Sequence, residues 1–417
     1  MSQNVAVPPE AREALFLALV ALFALCLRLG YNLLFIGPGY EPEYDAREYS
    51  EIAASLASGL GYRLANGAPT AIRPPLFPLL LAAAYRLGGV DYRLGLVVEA
   101  LIGAGIVVAT YAVGRQVDGV VTGRVAAVIA ATYPLLIYAG GSLLSEPLFI
   151  LLVTLAVVAA LRLLERPSVR GDLWLGLLLG LAWLTRPNGV ALVPCLLAWW
   201  LVASREAWPY RLADAAVVAL MALAVATPWI ARNYLVFGKL IPTSTMTGAV
   251  LLGSYNELVL NDPALRGDWV SPCEIPGVGW SCRLDELGRD AAWRELALAF
   301  MRGHVGDLPR MAWWRLVKFW HLYRFAHGFP ANVGFYYYAV VALLAPAGAW
   351  LTRCAWRRSS VLWAIIGCSM VTAALSWGGF RMRAPAEPAL IILASGTLSR
   401  GWRWIITHWH YKGDSQS

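Results

Sequence analysis

Lysine is almost missing from this 417-residue chain: there are three (Lys239, Lys318, Lys412) against 31 arginines. Charge of either sign is scarce, 14% of residues where a soluble domain carries about 25%. Together with 59% hydrophobic residues and a mean hydropathy of +0.58, this excludes a soluble enzyme, a disordered chain and a fibrous protein. Histidine and cysteine number five and six and form no cluster with metal-ligand spacing. No repeat of 20–50 residues, inverted-half symmetry or low-complexity tract is visible, and the first apolar run is too long for a cleavable signal.

What is present is apolar length. About ten helices of about 20 residues would absorb most of the hydrophobic residues. Runs of that kind cover 14–36, 94–113, 121–139, 146–163, 172–186, 188–203, 212–230, 333–351, 359–376 and 384–399. The run 76–88 reaches only about 20 Å as a helix and is read as interfacial. With 76–88 not spanning and the N-terminus inside, Arg115, Arg124, Arg162, Arg166, Arg170, Arg205, Arg211, Arg353, Arg357, Arg358, Arg400, Arg403 and Lys412 all fall on the cytoplasmic side. The expectation is therefore an all-α polytopic protein of the cell (inner) membrane, with about ten transmembrane helices and both termini cytoplasmic. Most of the formal +8 charge then reports orientation, not partners.

Two long segments face the exterior, 37–93 and about 231–332. Connections of more than about 15 residues are usually functional. The expected organisation is an N-terminal transmembrane catalytic module (1–230) that includes loop 37–93, an exterior region (231–332) with short helices, and C-terminal helices with a cytoplasmic tail (333–417). Cys273 and Cys282 share the large exterior segment, where an oxidising compartment permits a disulfide. Trp269, Trp280 and Trp293 lie in the same segment, as sugar-stacking faces or interfacial anchors.

In the first exterior segment, residues from Tyr49 onward read as a short amphipathic surface helix. Asp45 stands at its start, where a helix N-terminus favours a carboxylate as a cap. Arg73-Pro74-Pro75 leads into 76–88, and the prolines hold Arg73 at headgroup depth, which suits a lipid phosphate. Further polar turns follow on the same side: Ser145-Glu146-Pro147, Thr185-Arg186-Pro187-Asn188, Pro228 to Tyr234, and Gly378-Gly379-Phe380-Arg381-Met382-Arg383. Four such turns on one side read as walls of a cavity. Glu99, inside an apolar run about five residues from its exterior edge, reads either as a functional intramembrane acid or as a wetted or snorkelling group.

In order, Asp45 with Tyr49 and IAASLASGLGY, PTAIRPPLFPLLLA (69–82), LSEPLFILL (144–152), WLTRPNGVALVP (183–194), PWIARNYLVFGKLIP (228–242) and FRMRAPAEPALIILAS (380–395) resemble the polytopic C-type glycosyltransferases that use lipid-phosphate sugars. Within these the chain is similar to family 39, which includes protein O-mannosyltransferases and the lipid A aminoarabinose transferase. The resemblance runs from the first apolar helix to the last. It implies two juxtamembrane helices in the first exterior loop (47–59 and 76–88), a catalytic carboxylate at Asp45, and donor-phosphate grips at Arg73 and Arg232. Many members have Asp-Glu where this chain has Asp45-Ala46, so a second acidic role falls to Glu48 or Glu146. The large C-terminal soluble domain of some relatives is not expected.

The implied activity is transfer of a sugar from a polyprenyl-phosphate donor to an acceptor hydroxyl on the exterior (periplasmic) face, with inversion and Asp45 as general base. Glu48, Tyr49, Glu146, Arg186, Arg381 and Arg383 are further pocket candidates. No obligate metal is expected, because arginines can carry a monophosphate leaving group. Expected partners are membrane lipids, the lipid-linked sugar and an acceptor lipid, glycan or protein, with no nucleic acid. The competing readings are a polytopic transporter or lipid flippase and a scaffolding membrane protein.

Overall fold

The computed structural model describes residues 8–36, 40–321 and 331–414, and its regular elements are helices. Pro9–Gly30 (α1) continues into a π-helical turn, Tyr31–Ile36. Two juxtamembrane helices follow, Tyr44–Ala57 (α2) and Leu76–Gly88 (α3). They pack through an edge-on Tyr49–Phe77 pair, 5.1 Å between centroids, and a 3.0 Å hydrogen bond between the Ser50 and Tyr85 hydroxyls. The bundle continues with Tyr92–Asp118 (α4), Val120–Thr132 (α5), Pro134–Ala139 (α6), Glu146–Glu165 (α7), Val169–Trp183 (α8), Leu192–Ala203 (α9) and Trp208–Phe237 (α10).

Among the described residues, six helices are long and apolar enough to cross a membrane by length and composition: Glu10–Leu34, Tyr92–Asp118, Glu146–Glu165, Trp208–Phe237, Asn332–Leu351 and Arg353–Leu375. This is fewer than the ten runs read from the sequence, and proline accounts for much of the difference. Pro134 splits the run 121–139 into α5 and α6, and Pro187 opens a 3-10 turn ahead of α9. The break at Pro134 orphans the Ala130 carbonyl, which an unbroken helix would pair with residue 134. The fully buried Arg28 fills the gap, donating to the carbonyls of Ala130 (3.2 Å) and Ala131 (3.1 Å).

Of the readings open to Glu99 in the sequence, the wetted one does not hold: the residue is fully buried. Its carboxylate accepts from the backbone N–H groups of Leu143 (3.0 Å) and Leu144 (2.7 Å). Leu143 is a non-glycine residue at φ 50°, so the buried acid holds a strained turn that enters α7.

The second segment expected from the sequence to face the exterior forms a helical cap. Helix α10 runs on to Phe237 and ends at Gly238 (φ 65°), so the boundary expected at 231 falls inside a helix. Thr247–Ser254 (α11), Glu257–Asn261 (α12), Glu286–Gly303 (α13) and Leu308–Phe319 (α14) share a small core that includes Leu252, Val259, Trp293, Ala297 and Met311. Cys273 is bonded to Cys282, their Cα atoms 5.9 Å apart. The fully buried Arg315 ties the cap to the bundle, donating to Ser254 O (2.6 Å) in α11 and Ala374 O (2.9 Å). Ala331–Leu351 (α15), Trp356–Leu375 (α16), Phe380–Arg383 (α17) and Glu387–Asp414 (α18) complete the chain.

Candidate functional site: an alternating chain of arginines and carboxylates

Helix α2 begins one residue before Asp45, with Glu43 as its flanking residue, so Asp45 is not the helix cap. Both of its oxygens instead meet guanidiniums: Arg73 Nη2 at 2.6 Å on Oδ1 and Arg381 Nη2 at 2.8 Å on Oδ2. Arg73 also donates from Nε to Glu48 Oε2 (2.6 Å), one helical turn along α2. Arg381 also donates to Glu146 at the start of α7, whose other oxygen lies 2.7 Å from Arg186 Nη1. The six groups form one line, Glu48–Arg73–Asp45–Arg381–Glu146–Arg186, with three charges of each sign. Five of the six were candidates around Asp45 in the sequence, and tertiary structure puts them in contact.

Backbone conformation helps to place three of these groups. Tyr44 (φ 48°) precedes Asp45, Leu143 (φ 50°) lies three residues before Glu146, and Gly379 (φ 131°) opens the short helix that carries Arg381. Non-glycine residues with positive φ are uncommon, and here both flank the same charge chain. Tyr49 supports the line from beneath: its hydroxyl bonds Ser145 Oγ (2.9 Å) and its ring lies 5.4 Å under the Arg73 guanidinium.

Burial raises the Asp45 carboxyl, but Arg73, Arg381 and Arg186 outweigh it and hold the group well below the usual carboxylate range. Glu48 shifts the other way: burial pushes it up, and the single Arg73 contact does not offset this. Burial disfavours the charge on Arg73, yet Asp45 and Glu48 win and hold it above its ordinary value. Asp45 is therefore ionised at any working pH, and its basicity depends on whether the arginines stay in place.

Asp45 and Arg381 line a cleft of about 1140 Å³. Its walls come from the first exterior segment (Tyr40, Glu41, Glu43, Tyr44) and from the cap (Leu258, Leu265, Trp269, Glu274). Two arginines take other places. Arg383 is fully buried, paired with Glu387 (2.6 Å) and donating to Phe319 O (2.6 Å), 3.9 Å over the Tyr338 ring. Arg232 was expected to face Asp45, but its Nη1 donates to Thr70 O (2.7 Å) and its Nη2 to Tyr62 O (3.1 Å). The rings of Tyr62, Trp229 and Phe237 surround it. It clamps the loop that leads to Arg73.

Glu286 was not singled out in the sequence. From the first turn of α13 it accepts from Thr70 Oγ1 (2.6 Å), the Ala71 N–H (2.8 Å) and Thr245 Oγ1 (2.6 Å). With Arg232 it brackets residues 70–71, two or three positions before Arg73. Its only sequence signal was a carboxylate after Asp285 at a helix start, which reads as an ordinary cap. Among the described residues, no group of three or more His, Cys, Asp or Glu side chains converges as metal ligands do.

The fold is that of the C-type glycosyltransferases. The family model described as dolichyl-phosphate-mannose-protein mannosyltransferase matches residues 72–231, which include Arg73, Glu146 and Arg186. Among solved structures, the archaeal oligosaccharyltransferase AglB from Archaeoglobus fulgidus, in complex with an inhibitory peptide and a dolichol-phosphate, aligns with a TM-score of 0.61 at 15% identity. The alignment covers 98% of this chain and 52% of that one. The A. fulgidus oligosaccharyltransferase tethered to an acceptor peptide gives 0.59 at 16% identity, covering 93% and 49%. ArnT from Cupriavidus metallidurans, bound to undecaprenyl phosphate, gives 0.46 at 16% identity, covering 94% and 79%. The chain thus spans about half the length of the archaeal enzyme. A comparison with the curated proteins finds no significant match.

Proposed function

We propose that the chain is an integral-membrane glycosyltransferase that moves a sugar from a polyprenyl-phosphate donor to an acceptor hydroxyl, with inversion and with Asp45 as general base. The observation that carries the reading is the Asp45 carboxylate, lining the cleft and held between two guanidiniums. The dolichol-phosphate bound in the archaeal fold relative is consistent with a lipid-linked donor. In this proposal the shorter apolar helices complete about ten crossings of the inner membrane. The termini are cytoplasmic and the charge chain lies on the periplasmic face.

The charge chain has no net charge, so a donor phosphate enters only by exchanging partners. It draws Arg73 and Arg381 from Asp45 onto its own oxygens. That does two things together: the arginines stabilise the leaving phosphate, and Asp45 loses the neighbours that suppress its basicity. The freed carboxylate takes the acceptor hydroxyl proton as the oxygen attacks the anomeric carbon and the phosphate departs on the opposite face. Glu48 and Glu146 hold the displaced arginines in register, and Tyr49 and Arg186 support them. Arg232 acts on the donor through the loop before Arg73. Each carboxylate in the line already faces a guanidinium, an environment that opposes a divalent cation, so the proposed leaving-group chemistry is carried by arginine.

The test is twofold. Purified protein in vesicles is given a radiolabelled polyprenyl-phosphate sugar and a delipidated envelope extract, and cell envelopes with and without the protein are compared by mass spectrometry. A sugar-bearing component that disappears with the protein, and is made by the vesicles, supports the reading. Movement of lipid or solute across the vesicles with no sugar transferred refutes it and favours the transporter.

A further inference from the structure

Arginines gather at both ends of the bundle; at the end opposite Asp45, Glu13 pairs with Arg124 and Asp118 with Arg400, but a second group around the end of α7 is not matched in this way. Helix α7 starts at Glu146 in the charge chain and ends at Glu165, about 30 Å away along 20 residues. Two recesses adjoin at Glu165. One, about 610 Å³, is lined by Arg205, Arg357, Arg358, Trp356 and Cys354. The other, about 640 Å³, lies between α7 and α8, with Arg162 and Arg166 above an aliphatic groove that includes Leu155, Val158 and Leu178.

Five arginines therefore share one lining carboxylate, Glu165, which is taken by Arg358 at 2.8 Å. Arg162, Arg166, Arg205 and Arg357 form no ion pair among the described residues. Membrane orientation explains why arginines occur at this end, but it does not require them to converge. Convergence is costly here: Arg357 is held by the Ala203 carbonyl (2.8 Å), and Arg205, Arg211 and Arg358 are near enough to repel it. Trp174 and Trp356, each about half exposed, stand at the two rims, as tryptophans do at a membrane surface.

We propose that the joined recesses bind one anionic phospholipid of the leaflet opposite the Asp45 end, its phosphate on Arg205 and Arg357 and an acyl chain along the aliphatic groove. Forked guanidiniums suit phosphate oxygens, and the apolar groove that continues from them suits a lipid in preference to free phosphate. The site shares no residue with the charge chain and does not depend on the activity proposed for it.

Cys354, exposed in the first recess, reports occupancy. The chain is placed in nanodiscs of phosphatidylglycerol or of phosphatidylcholine, and labelling of Cys354 by a neutral maleimide is followed by peptide mass spectrometry. Phosphatidylglycerol is expected to slow labelling about tenfold, with the difference lost in Arg205→Gln/Arg357→Gln. Equal rates in the two lipids, or protection that survives in the variant, overturn the proposal. Should that variant fail to fold, native mass spectrometry of the wild-type chain released from an equal mixture of the two lipids decides. A single retained phosphatidylglycerol supports the site, and retention at the bulk ratio overturns it.

Discussion

Replacing Asp45 by Asn separates the two effects that the charge chain assigns to this carboxylate. The amide keeps the shape but not the basicity, so loss of a general base lowers kcat by about 10² to 10⁴. The same change leaves Arg73 and Arg381 with an unbalanced positive charge. A unit pair at about 4 Å is worth about 4 kcal/mol at an effective dielectric near 20 and about 1 kcal/mol in water. Asp45 keeps 27% side-chain exposure, so a value near the lower figure, about 1 kcal/mol per pair, is appropriate. Two pairs released from competition amount to about 2 kcal/mol, or about thirtyfold tighter binding of a polyprenyl phosphate. The variant should thus hold donor more firmly while turning it over far more slowly. The assay is single-turnover transfer of labelled sugar beside equilibrium binding of a fluorescent polyprenyl phosphate, with a thermal melt to check folding. Weakened donor binding in a folded Asp45→Asn protein, or kcat within about tenfold of wild type, would refute the reasoning.

Four further outcomes are expected. Glu48 titrates above the usual carboxylate range because of burial, and its protonation removes one partner from Arg73. The donor KM should therefore fall as pH drops through that titration, and Glu48→Gln should bind donor tightly at all pH; a pH dependence that survives in Glu48→Gln contradicts the pairing. Glu286→Gln weakens the bracket on residues 70–71 and should cost about 2 kcal/mol in kcat/KM, chiefly through donor KM; unchanged donor KM removes Glu286 from positioning Arg73. Replacing Cys273 and Cys282 by Ser should destabilise the cap by about 2–3 kcal/mol, read as faster proteolysis between 262 and 285, with the bundle's melt unchanged. Transfer should persist in EDTA, and loss that Mg²⁺ or Mn²⁺ restores would show that arginine alone does not carry the leaving phosphate.

Much of this molecule was legible in one dimension because the signals are local. The interfacial length of 76–88 follows from thirteen apolar residues bounded by Pro75 and Gly89, and the structure gives Leu76–Gly88. Prolines that interrupt an apolar run were not legible in the same way, since hydropathy averages across a missing N–H that the backbone cannot ignore. The contacts of Arg232 were hidden for a related reason. A basic residue at a helix end looks the same whether it meets a phosphate or a carbonyl of another loop, and here it meets the carbonyls of Tyr62 and Thr70.

The sequence alone determined that the chain carries several membrane-length apolar helices and that Asp45 and Arg73 belong to one segment between them, because hydropathy and proline act over a few residues. Tertiary structure decided which charges meet. Asp45 and Arg381 are 336 positions apart, and Thr70 and Glu286 are 216 apart. Ion pairs and hydrogen bonds operate over about 3 Å, so such partners are chosen only when the cap and the helix ends have packed. That packing turns scattered arginines into one balanced line at the site, and leaves another set unbalanced at the far end.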